Sequence, residues 1–420
     1  MSASEDHQTR MSASEDHQTR MSASEDNQTR MSASEDNQTR MSASEDHQAQ
    51  INEFEFTEEH GDLRSLVRSW CERVWTPEHV RQIAEAGSVD LDAWRALGSE
   101  LGVVGLSLPE QHGGGGLGVI ELSIVAEELG RALACLPWIS SAALGATALV
   151  SSGDDSALAE WVPALAAGEK TITLAGGRTR LADAITVSAE SDTDGWKLTG
   201  DTEHVPDGAT ADVILVLADT DSGPSLFAVD GDAPGVDRHS LATLDLTRRQ
   251  ANIHFNSAPA RLIGAQGWGA EAVATALDVA ATVLAAEQAG IAAHMLDVTT
   301  EYAKSRIQFG RIIGSFQAVK HRLADMAAAT GNVRGAAYHA AWSHDHPSLD
   351  DPALATSIAQ QVASAGAVEV TAKAIQSHGG IGFTWEHPAH LYYKRAVSNS
   401  ALFGGRAVHA ERIAKEVIDA

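Results

Sequence analysis

Apolar and polar positions divide the chain into three regimes. From Phe56 onward the spacing is helical. Leu63, Leu66, Val67 and Trp70 fall at i, i+3, i+4 and i+7, and Leu91, Trp94, Leu97 and Leu101 repeat the theme. Ser88 and Asp90 are candidate N-caps for the second of these helices. Pro109 and the glycines at 113–116 then predict an irregular loop between Leu101 and Gly118. A helix follows from Val119 to Leu133, on which Glu121, Glu127 and Glu128 read as solvated face charges. Beyond 166 the period shortens. Runs at 172–174, 185–187, 196–198, 213–216, 226–229 and 252–255 favour strands, with turn clusters such as Asp207-Gly208 between them. From 264 the helical period returns in four alanine-rich patterns near 269–306, 316–345, 352–378 and 406–419. The predicted fold class is α+β: an N-terminal helical domain over 51–165, a middle β-barrel domain over 166–263 and a C-terminal four-helix bundle over 264–420.

Residues 1–50 belong to none of these regimes. They are five copies of a decamer, MSASEDHQTR, with Asn for His in the third and fourth and Gln48-Ala49-Gln50 closing the fifth. The repeat has no apolar face, so burial cannot offset its ordering entropy, and a disordered tail is expected. Every copy begins with Met, which suggests a tandem duplication with Met41 close to an ancestral start.

Composition narrows the function. An excess of 57 acidic over 30 basic residues argues against a nucleic-acid or anionic-membrane partner. No apolar run approaches membrane-spanning length and no secretory signal pattern is present, so a cytoplasmic location is expected. Cys71 and Cys135 form no disulfide framework or metal spacing and read as buried small hydrophobes in a reducing compartment. His339, His344 and His346 read as a helix-end polar cluster, and no metal is expected. The glycine loop at 113–116 lacks the preceding strand and following Lys-Ser/Thr of a phosphate-binding loop.

Two stretches carry candidate chemistry. Tyr302 to Met326 (YAKSRIQFGRIIGSFQAVKHRLADM) closes one helical pattern, breaks at Phe309-Gly310 and starts another near Ser315. Arg306 stands at the break, where a cation at a helix end suits a diphosphate; a helical hairpin with solvated charges is the alternative. Gln376 to Arg395 (QSHGGIGFTWEHPAHLYYKR) places Gly379, Gly380 and Gly382 after a helix, where a backbone can approach a ligand closely. Together the stretches resemble the C-terminal domain of the acyl-CoA dehydrogenases, and the resemblance runs from Phe54 to Ala420. In that family an R-x-x-F-G turn and a Q-x-x-G-G-x-G turn from neighbouring subunits hold the ADP half of FAD. The resemblance implies FAD contacts from Arg306, Gln308, Phe309 and Gln317 of one subunit and from Gln376, Gly379 and Gly380 of the other.

The sequence departs from the family where the chemistry lies. Leu174 to Ala184 lacks the family's flavin- and substrate-binding segment. His204-Val205-Pro206 stands for the aromatic-Ile-Thr beside the flavin ring, and Pro206 has no N–H to offer. Gly405 stands for a Thr. The family's reaction removes a Cα proton with a carboxylate and a Cβ hydride with the flavin. Its two usual positions for the base are Phe403 and Ala280 here. Glu287, two turns beyond Ala280 on the same face and displaced by about 10 Å, is the remaining candidate base; the alternative is a buried Glu paired with an Arg. Glu386 is a lesser candidate, and Asp278 a candidate contact to substrate adenine.

The resemblance implies FAD-dependent α,β-dehydrogenation of an acyl-CoA by a homo- or heterotetramer, with electrons passed to an electron-transfer flavoprotein. One alternative is a non-catalytic partner subunit that completes the FAD site of a paralogue. Another is an oxidase, distinguished by hydrogen peroxide production. For the repeats, deletion of residues 1–40 is expected to leave the melting temperature and any acyl-CoA turnover unchanged; loss of either would give the repeats a role.

Overall fold

The computed structural model describes residues 55–176, 185–193 and 195–418. The decamer repeats, and most of the 174–184 segment, lie outside them.

The first layer is helical: α1 (Glu58–Val74), α2 (Pro77–Ala86), α3 (Leu91–Ser99), α4 (Val119–Ala132), α5 (Ala146–Ser151) and α6 (Asp155–Ala166), with a π-helical stretch at Trp138–Gly145 running into α5. Of the two candidate caps for α3, Asp90 serves: its carboxylate accepts from Ala93 N–H at 2.9 Å. The reading of Glu127 and Glu128 as solvated charges is corrected. α4 is buried along most of its length, so both carboxylates are 3% exposed or less and answer arginines. Glu127 accepts from Arg334 at 3.0 Å and the Tyr338 hydroxyl at 2.6 Å, and Arg68 grips Glu128 at 2.7 and 2.8 Å. Arg64 donates to both carboxylates. Removing one partner of such a group would strand a buried charge.

The second layer is one seven-stranded sheet in the order β1-β4-β5-β7-β3-β2, with β6 on β7. Its strands are β1 (Ile172–Ala175), β2 (Val187–Asp192), β3 (Gly195–Pro206), β4 (Val213–Ala218), β5 (Ser225–Asp230), β6 (Val236–Ser240) and β7 (Gln250–Ile263). Among the described residues β1 and β4 form the one parallel ladder; the others are antiparallel. The sheet rolls until β2 meets the end of β4: Ala189 N–H donates to Asp219 O, and Asp219 N–H to Val187 O, each at 2.9 Å. Among the described residues the expected barrel is therefore a rolled sheet joined by a single bridge, not by a full ladder. β6 escaped the sequence because its residues are mostly polar and none is buried.

The third layer comprises α7 (Gly269–Ser305), α8 (Gln317–Asp345), α9 (Pro352–His378), α10 (Ala389–Asn399) and α11 (Arg406–Ile418), with a small hairpin of β8 (Ile307–Gln308) and β9 (Arg311–Ile312) between α7 and α8. The four predicted helices are present and α10 is an addition. α7 corrects one reading: by length and composition it could cross a membrane. Its apolarity serves the core instead, with 78% of the relevant window buried in the fold. α4 crosses α7 so closely that a Cβ at Gly290 would collide with the Glu127 carbonyl, and one at Gly130 with the Glu287 carbonyl. Gly290→Ala is therefore expected to cost at least about 1–3 kcal/mol in denaturant unfolding; an unchanged midpoint would show that the helices can move apart freely.

Candidate functional site

The first motif turn forms where α7 runs out. Arg306 leaves the helix with ψ 125° while its N–H still donates to Tyr302 O at 2.8 Å. Phe309 and Gly310 then take φ of 53° and 76°, both left-handed, which closes a two-residue hairpin loop. The Phe309 ring at its tip is 92% exposed. Gln308 lies on β8, and Gln317 opens α8 after Phe316, which offers no side-chain cap. The first N–H groups of α8 thus stay free for an acceptor. Arg306, Gln308, Phe309 and Gln317 all lie exposed on this turn.

The second turn ends α9. Gly379 has φ 66° and ψ −140°, a conformation that only glycine adopts readily. A Cβ at Gly379 or Gly380 would meet no protein atom within 4 Å, so the backbone there faces open space. Gln376 and Gly379 line a cavity of about 630 Å³ together with Trp385, Tyr393 and Lys394. The Tyr302 ring stacks on buried His378 at 4.6 Å, and its hydroxyl donates to His378 O at 3.4 Å. One helical turn separates Tyr302 from Arg306, and His378 directly precedes Gly379. The two turns are therefore neighbours within one chain. Burial keeps His378 below the usual histidine range. His387, 4.4 Å from it, is held down at about 4 by burial and by the neighbouring His378 and His390.

Glu287 sits elsewhere, in the core of α7, 4% exposed. Arg248 Nη2 donates to both of its oxygens at 2.7 Å. Arg395 Nη1 and Asn399 Nδ2 each donate to Oε1 at 3.0 Å. Arg395 also holds Asp245 Oδ2 at 2.8 Å and Thr247 O at 2.7 Å. Burial alone would raise the Glu287 pKa. The charges of Arg248 and Arg395, with hydrogen bonds from Arg248 and Asn399, outweigh it and hold the carboxyl at about 2. A base needs a raised pKa and a free oxygen, so this geometry corrects the base assignment in favour of the Arg-paired alternative. Asp207 nearby shows the opposite balance: burial pushes it up to about 6 against the Ser140 hydroxyl and the charges of Arg248, Arg395 and Arg249. Asp278, offered as an adenine contact, is buried and bound by Arg412 at 3.1 Å. Glu386 is exposed on the loop before α10.

A third feature lies between β1, β3 and the α10–α11 turn. It is a cavity of about 610 Å³ walled in part by Leu174, Val205, Pro206, Phe403 and Gly405. Phe403, one of the two expected base positions, is thus in the wall, but its ring can move no proton. Ala280, the other, is fully buried in α7. Among the described lining residues the titratable side chains are Glu203 and His204. Sequence reasoning missed Arg248, Arg395 and Asn399 as partners of Glu287, because they lie 39, 108 and 112 residues away along the chain. It also missed the Tyr302–His378 stack. Both cysteine thiols are buried and pushed up in pKa, Cys135 to about 12, as small hydrophobes would be.

Comparison with known proteins matches two family models: residues 57–169 to "Acyl-CoA dehydrogenase, N-terminal domain" and residues 267–418 to "Acyl-CoA dehydrogenase, C-terminal domain". The chain is 34% identical over 376 residues to acyl-CoA dehydrogenase FadE27 of Mycobacterium tuberculosis, covering 87% of this chain and 99% of that one. It is 32% identical to a chain in the crystal structure of the ChsE4-ChsE5 complex from Mycobacterium tuberculosis, with a TM-score of 0.79 and coverage of 88% and 99%. It is 30% identical to a chain of a variant of the Tcur3481-Tcur3483 steroid ACAD, with a TM-score of 0.76 and coverage of 86% and 98%.

Removing the Glu287 charge tests the site directly. Glu287→Gln leaves Arg248 and Arg395 facing a neutral amide, and a loss of about 3–5 kcal/mol in unfolding free energy is expected. The wild-type carboxyl titrates lower in the folded than in the unfolded chain. Its contribution is therefore complete above pH about 4.5 and fades as pH falls toward 2. The variant's deficit should shrink over that window; a deficit independent of pH would contradict the ion-pair reading.

Proposed function

Since the chain is an oxidoreductase of the acyl-CoA dehydrogenase family, we propose that it serves FAD-dependent α,β-dehydrogenation of an acyl-CoA thioester, with electrons passed to an electron-transfer flavoprotein, as the partner subunit of a heteromeric enzyme. The observation that carries this reading is the state of Glu287. The candidate base carboxylate is held as an anion between two arginines, and the two usual base positions are Phe403 and Ala280. Proton abstraction then falls to a paralogue.

The fit to the cofactor divides in two. The ADP half fits: Gly379 and Gly380 face open space, the N-terminus of α8 is uncapped, and Arg306 and Gln317 lie exposed beside it. The ring half fits poorly, because Pro206 has no N–H and Gly405 no hydroxyl. Bound FAD would supply the hydride acceptor. This chain's part is to hold the diphosphate with Arg306 and the free α8 amides, and to let the backbone at Gly379 and Gly380 approach the nucleotide. Exposed apolar side chains flank both turns, Ile307 at 62%, Phe383 at 84% and Trp385 at 57%, a surface that a second family chain would cover. The two-chain solved relative supports such an assembly.

Flavin content tests the proposal. Purified alone, the chain is expected to be colourless; co-expressed with a paralogue, it should join a complex with one FAD per pair of chains that bleaches anaerobically with an acyl-CoA. A steroid-bearing thioester belongs in the panel, given the steroid ACAD relative. Flavin retained by the isolated chain and reduced by a thioester would show a self-sufficient enzyme, and peroxide formed in air would show an oxidase.

A further inference from the structure

The loop that carries the second glycine turn stands largely clear of the rest of the chain. It runs from Gly379 to Pro388, between α9 and α10. Of its residues only Gly382 is buried, and the Phe383 and Trp385 side chains are 84% and 57% exposed. Within it, the Thr384 N–H and hydroxyl both donate to Ile381 O, at 3.1 and 2.8 Å. Each end has its own anchor. At the entry Tyr302 stacks on His378, and at the exit the Ala389 N–H donates to His387 Nδ1 at 3.2 Å. Neither anchor bonds the backbone at 385 and 386.

That middle is held from the far end of the sequence. Arg81 Nη1 donates to Trp385 O at 3.0 Å and to Glu386 O at 3.3 Å, across 304 and 305 residues. Arg81 lies on α2, which starts on Pro77 with the Thr76 hydroxyl accepting from His79 N–H at 3.2 Å. Val80 and Ala84 are the buried positions of this helix, and Arg81 lies on its flank with a side chain 23% exposed. Its Nη2 donates to Glu78 Oε1 at 3.2 Å, but Glu78 is 79% exposed and that pair contributes little. The guanidinium keeps its charge at every working pH, so both carbonyl bonds are charge-assisted. Among the described residues Arg81 is the one side chain of the N-terminal helices that hydrogen-bonds this loop.

What Arg81 holds bears on the cavity of about 630 Å³ at the second turn. Trp385 lines that cavity together with Gln376, Gly379, His390 and Lys394. Its ring stands edge-on to His390 at 4.6 Å and lies 4.8 Å from Lys394 Nζ. A bond to the Trp385 carbonyl therefore fixes the backbone from which this wall residue projects. Without that bond the loop would keep both ends and lose the placement of its middle.

We propose that Arg81 is a positioning residue for the nucleotide. It acts through the Trp385 backbone to set the wall beside which the ADP half of FAD is held. The inference rests on the nucleotide reading of these turns. It adds a residue of the N-terminal helices to a site otherwise drawn from the C-terminal layer.

The test uses the full chain co-expressed with its paralogue and then stripped of flavin. Calorimetric titrations with FAD and with ADP read the nucleotide half directly. Arg81→Met keeps the stem and removes the donors. It is expected to raise both dissociation constants roughly tenfold, the worth of one charge-assisted hydrogen bond. Arg81→Lys retains a cationic donor and should lose less. Trp385→Leu removes the ring and leaves the carbonyl in place. Because Arg81 acts through Trp385, the double variant should bind ADP no more weakly than Trp385→Leu alone. Melting curves of the flavin-free complexes separate positioning from bulk stability. A lower melting temperature with unchanged FAD and ADP affinity would make Arg81 a structural brace and overturn the proposal. Losses that add in the double variant, or FAD weakened with ADP unaffected, would overturn it too. Arg81→Lys carries the test where Arg81→Met does not fold. A wild-type complex that binds neither FAD nor ADP would overturn the nucleotide reading itself. A wild-type complex that binds both, with Arg81→Met equal to it, would overturn this inference alone.

Discussion

Two arginines and one glutamate set the interior of this protein. Glu287 on α7 lies between Arg248, just before β7, and Arg395 on α10, and Arg395 in turn reaches Asp245, Thr247 and the Ala134 carbonyl. The long central helix, the approach to the last strand of the sheet, the loop after α4 and the added helix α10 are joined through that one charged group. None of these groups sees solvent, so each charge is tolerable only while its partner is present. That constraint decides the chemistry as well. A carboxylate required to stay ionised to balance two guanidiniums cannot also cycle a proton near neutral pH.

The two ends of the candidate site then have different characters. Around Arg306 and Gly379 the backbone is arranged for approach from outside: a left-handed hairpin loop, a glycine that only a glycine can replace and an uncapped helix start. Around Phe403 and Pro206 the wall is more apolar, with Leu174, Val205 and Leu402 in it beside the β3 bulge residues Glu203 and His204. The Tyr302–His378 stack joins the Arg306 and Gly379 turns within the chain.

The helices were legible because their periodicity is local. Leu91, Trp94, Leu97 and Leu101 announced α3, and Asp90 its cap, from residues within two turns of one another. β6 was not legible because its polar run carries no alternation, and α10 was hidden in a stretch read only for its glycines. Glu127 and Glu128 were misjudged because a carboxylate on a helix is ordinarily solvated. Only packing against α1 and α8 brings in Arg64, Arg68 and Arg334. The site followed the same rule. Its turns could be read from glycine spacing, whereas the state of Glu287 depends on residues from two distant segments, and no local pattern reports them.

The most direct test is the ionisation of Glu287 itself, observed as the carboxyl band in the wild-type minus Glu287→Gln infrared difference spectrum between pH 5 and 8. A fixed anion between Arg248 and Arg395 predicts a carboxylate band that does not change over the whole range. A protonated-acid band that titrates near neutrality would restore Glu287 as a base and contradict the structural role given to it here.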